Sequence, residues 1–217
     1  MKNLAVVVML SAAFSAPASA VPVSWTDWTS VTAAAPGVLG TLAFGAETVN
    51  VAYAGAYSFA QTSGGINYWN PSGPYVGAAV DNAPPTSDII ALNAGGQKTI
   101  TFSQAVVDPL IALVSWNGNT VDFGVPIEFL SYGGGYWGSG TPVLNSGGTG
   151  FSGSGEVHGI IKLPGTYTSI TFTDLNENWH GITVGAFDVA SVPEPASLAL
   201  LGVGIASLGA MRRRRHA

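Results

Sequence analysis

Glu128, Glu156 and Glu177 are the glutamates that lie in or beside strand-like segments in the second half of this 217-residue chain. Two carboxylates flanking one glycosidic bond would make a glycan-active enzyme, one holding a proton and the other a charge. No short acidic spacing joins the three, so they are expected to be solvated edge charges, and no catalytic residue is assigned. His158 and His180 are the two histidines upstream of the C-terminal tail. A serine nucleophile would need one of them as base together with an Asp orienter, and zinc would need a third ligand. Glu156 and His158 alternate along one strand and so share a face, which suits a hydrogen-bonding role. The loop "DLNEN" offers Asp174, Asn176 and Glu177 as hard oxygen ligands for calcium, although EF-hand spacing is absent. An Asx-type turn explains the same residues, and no other cofactor is implied. Tyr132, Tyr136 and Trp137 flank a run of glycines, where rings escape the core and can stack on a sugar face. Trp116 and Trp179, at strand ends, are expected to be core aromatics.

The charge balance limits the partners. Between Val21 and Val192 only Lys98 and Lys162 are basic, against eleven acidic residues, a net charge of −9. Such a surface repels phosphate backbones and excludes nucleic acid. The chain has no cysteine, so disulfides, thiol catalysis and thiolate metal sites are excluded. A domain of this size can bury a sufficient core without them.

The elements that must position these side chains are strands. Short β-branched and aromatic runs alternate with Gly, Pro, Asn and Asp, and helix formers are scarce. "TVNVAY" and "TSITFTD" alternate in polarity. "DIIALN" and "KTITFS", joined at Gly95-Gly96, read as a hairpin. "PLIALVSW" is a continuous apolar run and a central strand. Asn117-Gly118-Asn119 is a turn, and Pro126 breaks "TVDFGVPIEFLSY" into two strands. "EVHGIIKL" stops at Pro164-Gly165, and "GITVGAFDV" closes the domain. The stretches "YGGGYWGSGT" and "NSGGTGFSGSGE" are too rich in glycine for stable strands and read as surface loops. About ten such strands predict an all-β fold over residues 21–189, a two-sheet β-sandwich or jelly roll.

Both ends carry targeting features. Lys2, an apolar stretch from Leu4 to Phe14 and the small residues Ala18 and Ala20 form a signal peptide over residues 1–20, cut by signal peptidase after Ala20. At the other end, over residues 190–217, Pro193, Glu194 and Pro195 precede sixteen apolar residues, 196–211, and then Arg212, Arg213, Arg214 and Arg215. As a helix the apolar run would measure about 24 Å, a single short transmembrane span with the arginines stopping transfer on the cytoplasmic side. The prolines keep the preceding linker extended and open to a protease.

Val192-Pro193-Glu194-Pro195, apolar helix and Arg cluster, in that order, resemble the PEP-CTERM sorting signal. The resemblance implies recognition of Pro193, Glu194 and Pro195 by an exosortase, an integral-membrane transpeptidase of exopolysaccharide-producing Gram-negative bacteria. It implies export, anchoring in the inner membrane before processing, and then residence at the cell surface or in the extracellular matrix. The stretch "GEVHGIIKLPGTYTSITFTDLNENWHGITVGAFD" is similar to β-sandwich domains that accompany such tails. The expectation is a non-enzymatic structural or adhesive module. A carbohydrate-binding module for exopolysaccharide is the alternative, and a glycan-active enzyme using Glu128, Glu156 or Glu177 the more distant one.

Overall fold

The computed structural model describes residues 22–33, 37–77 and 79–190. The expected signal peptide and the tail from residue 191 onward therefore lie outside the described residues. Among those described, no helix is long and apolar enough to cross a membrane, and the structure is sixteen strands with one 3-10 turn at Gly73–Tyr75.

Numbered along the chain, the strands form two antiparallel sheets. The first contains β10 (Glu128–Gly133), β13 (Val157–Lys162), β8 (Leu110–Trp116), β15 (His180–Ala186), β6 (Ile89–Leu92) and β5 (Phe59–Gln61) in that order, with β1 (Ser24–Trp25) also pairing β15. The second runs β11 (Gly140–Leu144), β12 (Gly150–Gly155), β9 (Thr120–Asp122), β14 (Thr166–Asp174), β7 (Gly96–Val107), β4 (Glu47–Ala54), β3 (Val38–Phe44) and β2 (Asp27–Val31). The last strand, β16 (Asp188–Val189), joins β7 at Val106 and Val107.

The two sheets bury different patterns because they face different surroundings. Strand β14 alternates, with Ile170 and Phe172 inward and Thr171 and Thr173 outward. Its partner β7 does the same through Ile100 and Phe102. These residues meet Ile111, Leu113, Ile182 and Val184 of the first sheet in a common core. Strands β6, β8 and β15 are instead buried at every position. Their outer face is covered by the irregular segment between β5 and β6, which lays Tyr68, Trp69, Tyr75 and Val80 on Leu110, Ala112, Val114 and Ile160. Burial on both faces is the reason "PLIALVSW" reads as an unbroken apolar run. Asn82 ties the cover to β1 by exchanging hydrogen bonds with the Val23 backbone at 2.7 and 2.9 Å.

Two expectations from the sequence are corrected. The segments around Gly95-Gly96 form no hairpin, because β6 pairs with β5 and β15 whereas β7 pairs with β4 and β14, in opposite sheets. The second glycine-rich stretch is also no loop throughout. All of "GFSGSG" is strand β12, paired with β11 and β9. Glycine is used there because the backbone approaches its neighbours closely. A Cβ on Gly150 would stand 2.0 Å from the Val121 carbonyl oxygen, and one on Gly153 would stand 2.0 Å from that of Trp116.

Candidate functional site

The chain crosses between the sheets repeatedly, and five of the crossings meet at one end of the sandwich. They are the connections β6–β7, β8–β9, β10–β11, β12–β13 and β14–β15. The last four, with Ser115 at the end of β8, supply every side chain of a surface cleft of about 370 Å³, lined by Ser115, Asn117, Trp137, Glu156, Glu177, Asn178 and Trp179. The fifth buttresses it: Gly95 N–H donates to Asn176 Oδ1 at 2.6 Å, and the Gly95 Cα is pressed so close to Leu175 and Asn176 that a side chain would clash at 2.7 Å.

One asparagine joins the two carboxylates of the cleft. The backbone N–H of Asn117 donates to Glu177 Oε1 at 2.8 Å, and its side-chain Nδ2 donates to Glu156 Oε1, also at 2.8 Å. The other Glu156 oxygen accepts from the Ser115 hydroxyl. Ser115 reaches it from a bulge, where Val114 and Ser115 together oppose His158 and the pairing resumes at Trp116 and Val157. Its φ of +59° is sparsely populated for a residue with a Cβ. The bulge turns the Ser115 hydroxyl toward the cleft while its N–H donates to His158 Nδ1 at 3.3 Å. That bond makes Nδ1 an acceptor and places the ring proton on Nε2, which is buried without a hydrogen-bond partner. Burial pushes the His158 pKa from its ordinary 6.5 down to about 4, against the opposing pull of the Glu156 charge, so the ring is neutral.

Glu177 connects the cleft to a charged chain in the interior. Its Oε2 lies 3.1 Å from His180 Nδ1, and His180 Nε2 lies 3.0 Å from Asp174 Oδ2. The other Asp174 oxygen is held by Lys98 Nζ. The ammonium also donates to the Ala94 and Gly96 carbonyls at 2.8 and 3.3 Å. Lys98 and Asp174 side chains are both fully buried. Burial pulls the His180 pKa down, but hydrogen bonds to Asp174 and Glu177 and the charges of both outweigh it and leave it raised. The Trp116 ring packs on His180 with centroids 4.2 Å apart.

Aromatic rings form the wall above the carboxylates. Gly135 and Gly138 bond to each other through N–H to carbonyl contacts of 2.7 and 3.3 Å, closing a tight turn with Tyr136 and Trp137 at its tip. Gly138 takes φ +124°. Gly135 lies flat on the His158 ring, where a Cβ would be 2.3 Å from Cγ. The tip therefore stands at a fixed height over the buried histidine. Trp137 stacks on Tyr68 at 5.6 Å and meets Trp179 at 4.9 Å. Tyr136 meets Tyr68 edge-on at 5.2 Å. Both tip residues stay well exposed, Tyr136 at 41% and Trp137 at 45%.

The residues singled out in the sequence are thus divided. Tyr136 and Trp137 reach the cleft wall, whereas Tyr132 lies on β10 and packs edge-on to Phe129. Glu156 and Glu177 are not isolated edge charges but share one cleft. Glu128 is elsewhere, paired with Lys162 at 2.7 Å across β10 and β13. Asp174, Asn176 and Glu177 do not converge on one point: each side-chain oxygen already accepts from, or pairs with, a group of this chain. Among the described residues no group of three or more His, Asp or Glu side chains is arranged to hold a metal ion. Trp116 is buried as expected, and Trp179 is half-buried and lines the cleft. Ser115 and Asn117 were not anticipated; Asn117 was visible in sequence only as a turn residue. A second depression of about 480 Å³, on the outer face of β2–β3–β4–β7, is lined by Thr, Ser, Asn and small apolar residues and has neither a charge nor a stacked ring at its surface to orient a ligand.

Residues 191–215 match the PEP-CTERM protein-sorting motif. No curated protein and no solved structure matches the chain. The motif implies an exosortase-sorted surface protein, exported and anchored in a membrane before processing.

Proposed function

We propose that the β-domain delivered by this sorting motif is a saccharide-binding, adhesive module that works at the cell surface or in an exopolysaccharide matrix. The signal peptide is removed by signal peptidase, and the tail is processed by an exosortase. The observation that carries the binding reading is the turn that fixes Tyr136 and Trp137 beside Trp179, above a cleft floored by Glu156, Glu177, Asn117 and Asn178. A sugar presents an apolar C–H face and a rim of hydroxyls. Rings of fixed position suit the first, and carboxylate and amide groups suit the second. The cleft volume is within the roughly 300–1,000 Å³ range of small-ligand sites.

Binding is favoured over hydrolysis by how the two carboxylates are held. Both oxygens of Glu156 and both of Glu177 accept hydrogen bonds from groups of this chain. Glycoside hydrolysis instead needs one carboxyl free to give a proton to the leaving oxygen.

Calorimetric titration of the full chain, purified in detergent, with neutral oligosaccharides and with the host's own polysaccharide tests the reading. Saturable binding is expected. Trp137→Ala should weaken it by about ten-fold or more, equivalent to about 1.4 kcal/mol, while the variant still unfolds cooperatively, so that the loss is read on folded protein. Absent binding, or binding indifferent to Trp137→Ala, overturns it. Release of reducing ends would replace it with the hydrolytic reading.

A further inference from the structure

We infer that the sugar this cleft selects carries a free amine: an amino sugar bound as its ammonium, with Glu156 as the counter-ion and the rings of Trp137 and Trp179 against its face. This inference rests on the saccharide-binding reading and names the class of sugar.

The charges around the cleft call for a cation. Among the described residues the lysines are Lys98 and Lys162, and arginine is absent. Lys98 is enclosed with Asp174 in the interior, and Lys162 pairs with Glu128 on another part of the first sheet. Neither lines the cleft. The two cleft carboxylates then differ in what faces them. Glu177 contacts a ring nitrogen of His180, whose other nitrogen meets Asp174 and whose pKa these two carboxylates raise. Glu156 accepts from a serine hydroxyl and an asparagine amide, both neutral, and no ion pair among the described residues includes it. The titratable ring packed beside Glu156 is His158, and burial keeps that ring neutral. Asn178 and Ser115 add no charge. Glu156 is therefore a half-buried carboxylate that none of the described cations faces, open to a cation from outside.

The rings favour the same charge. An indole face is electronegative and attracts an ammonium placed over it. Trp137 and Trp179 line the cleft together with Glu156. An ammonium bound there has a carboxylate and two indoles as neighbours, while the sugar ring that bears it supplies an apolar surface. A uronic acid or sulfated sugar meets the same groups with the wrong sign.

The test compares four tetrasaccharides on the full chain in detergent: glucosamine, N-acetylglucosamine, glucose and glucuronic acid. The glucosamine tetramer should bind about ten-fold or more tightly than the two neutral ones, and the glucuronic acid tetramer most weakly. Glu156→Gln should bring the glucosamine and neutral affinities together. Glu128→Gln removes one charge far from the cleft and should leave the preference intact. The wild-type ranking alone is decisive should Glu156→Gln fail to fold. Equal affinity for all four, a preference that survives in folded Glu156→Gln, or equally tight binding of trilysine overturns the inference. Equal, Trp137-dependent binding of the neutral and amino sugars would leave the saccharide-binding reading standing. Binding of none would remove both.

Discussion

At the scale of single residues, the two histidines show how placement decides charge. Both are fully buried, yet His180 has a carboxylate on each ring nitrogen, whereas His158 has the Ser115 N–H and the Tyr75 hydroxyl at Nδ1 and nothing at Nε2. Their pKa values move apart, and so do their contributions to stability. His180, raised on folding, adds stability that is complete below its ordinary value of 6.5 and is lost as pH rises through its raised value. His158, lowered to about 4, adds stability that is complete above 6.5 and is lost as pH falls from there toward 4. Denaturant midpoints measured across this range should show one limb for each ring. His180→Gln should flatten the alkaline limb. His158→Gln should flatten the acid limb, worth on the order of 3 kcal/mol at full extent. Limbs unchanged in both variants would contradict the assignment. The sequence favours a hydrogen-bonding role for the rings over a metal site, and both make hydrogen bonds. Asp174 is only six residues from His180, but Lys98, which holds Asp174, and Ser115, which faces His158, lie far along the chain and are brought close only by strand pairing.

At the scale of elements, alternation and turn chemistry made most strands legible, including the central β8 and the break at Pro126. Glycine misled, because it has two uses here. In "NSGGTGFSGSGE" it permits close strand approach, and in "GGYWG" it makes a two-residue turn that holds two rings rigidly. Neither use leaves a pattern distinct from a flexible loop. Gly153→Ala is the direct check on the first. Its Cβ would meet the Trp116 carbonyl at 2.0 Å, so β12 must shift, at a cost of about 1–3 kcal/mol in unfolding free energy. Gly77→Ala, with no atom within 4 Å of the added carbon, should stay within about 0.5 kcal/mol of wild type. Equal midpoints for the two variants would show that β12 is as loose as its composition suggests. The β6–β7 connection misled for a related reason: a short glycine link joins a hairpin or two facing sheets equally well, and only the register with β14 and β15 decides.

At the scale of the whole molecule, the sorting tail was the most legible part, because its three parts need only their order in the chain and no fold. It predicts that protein recovered from the host envelope or medium ends upstream of Arg212 to Arg215, which mass spectrometry of the mature C-terminus will decide; a terminus still bearing the four arginines contradicts processing. The cleft was the least legible part, since its wall and floor come from four separate crossings. The position of β16 then acquires a meaning. It leaves the sandwich beside Val106 and Val107, whereas the five crossings gather beside Gly96, at the other end of the same strand. Twelve residues of β7 separate them, roughly 40 Å. The chain thus leaves the described domain at the end opposite the cleft. On the proposed saccharide-binding reading, a tether at that end leaves the cleft unobstructed, and polymer can be bound before the tether is cut.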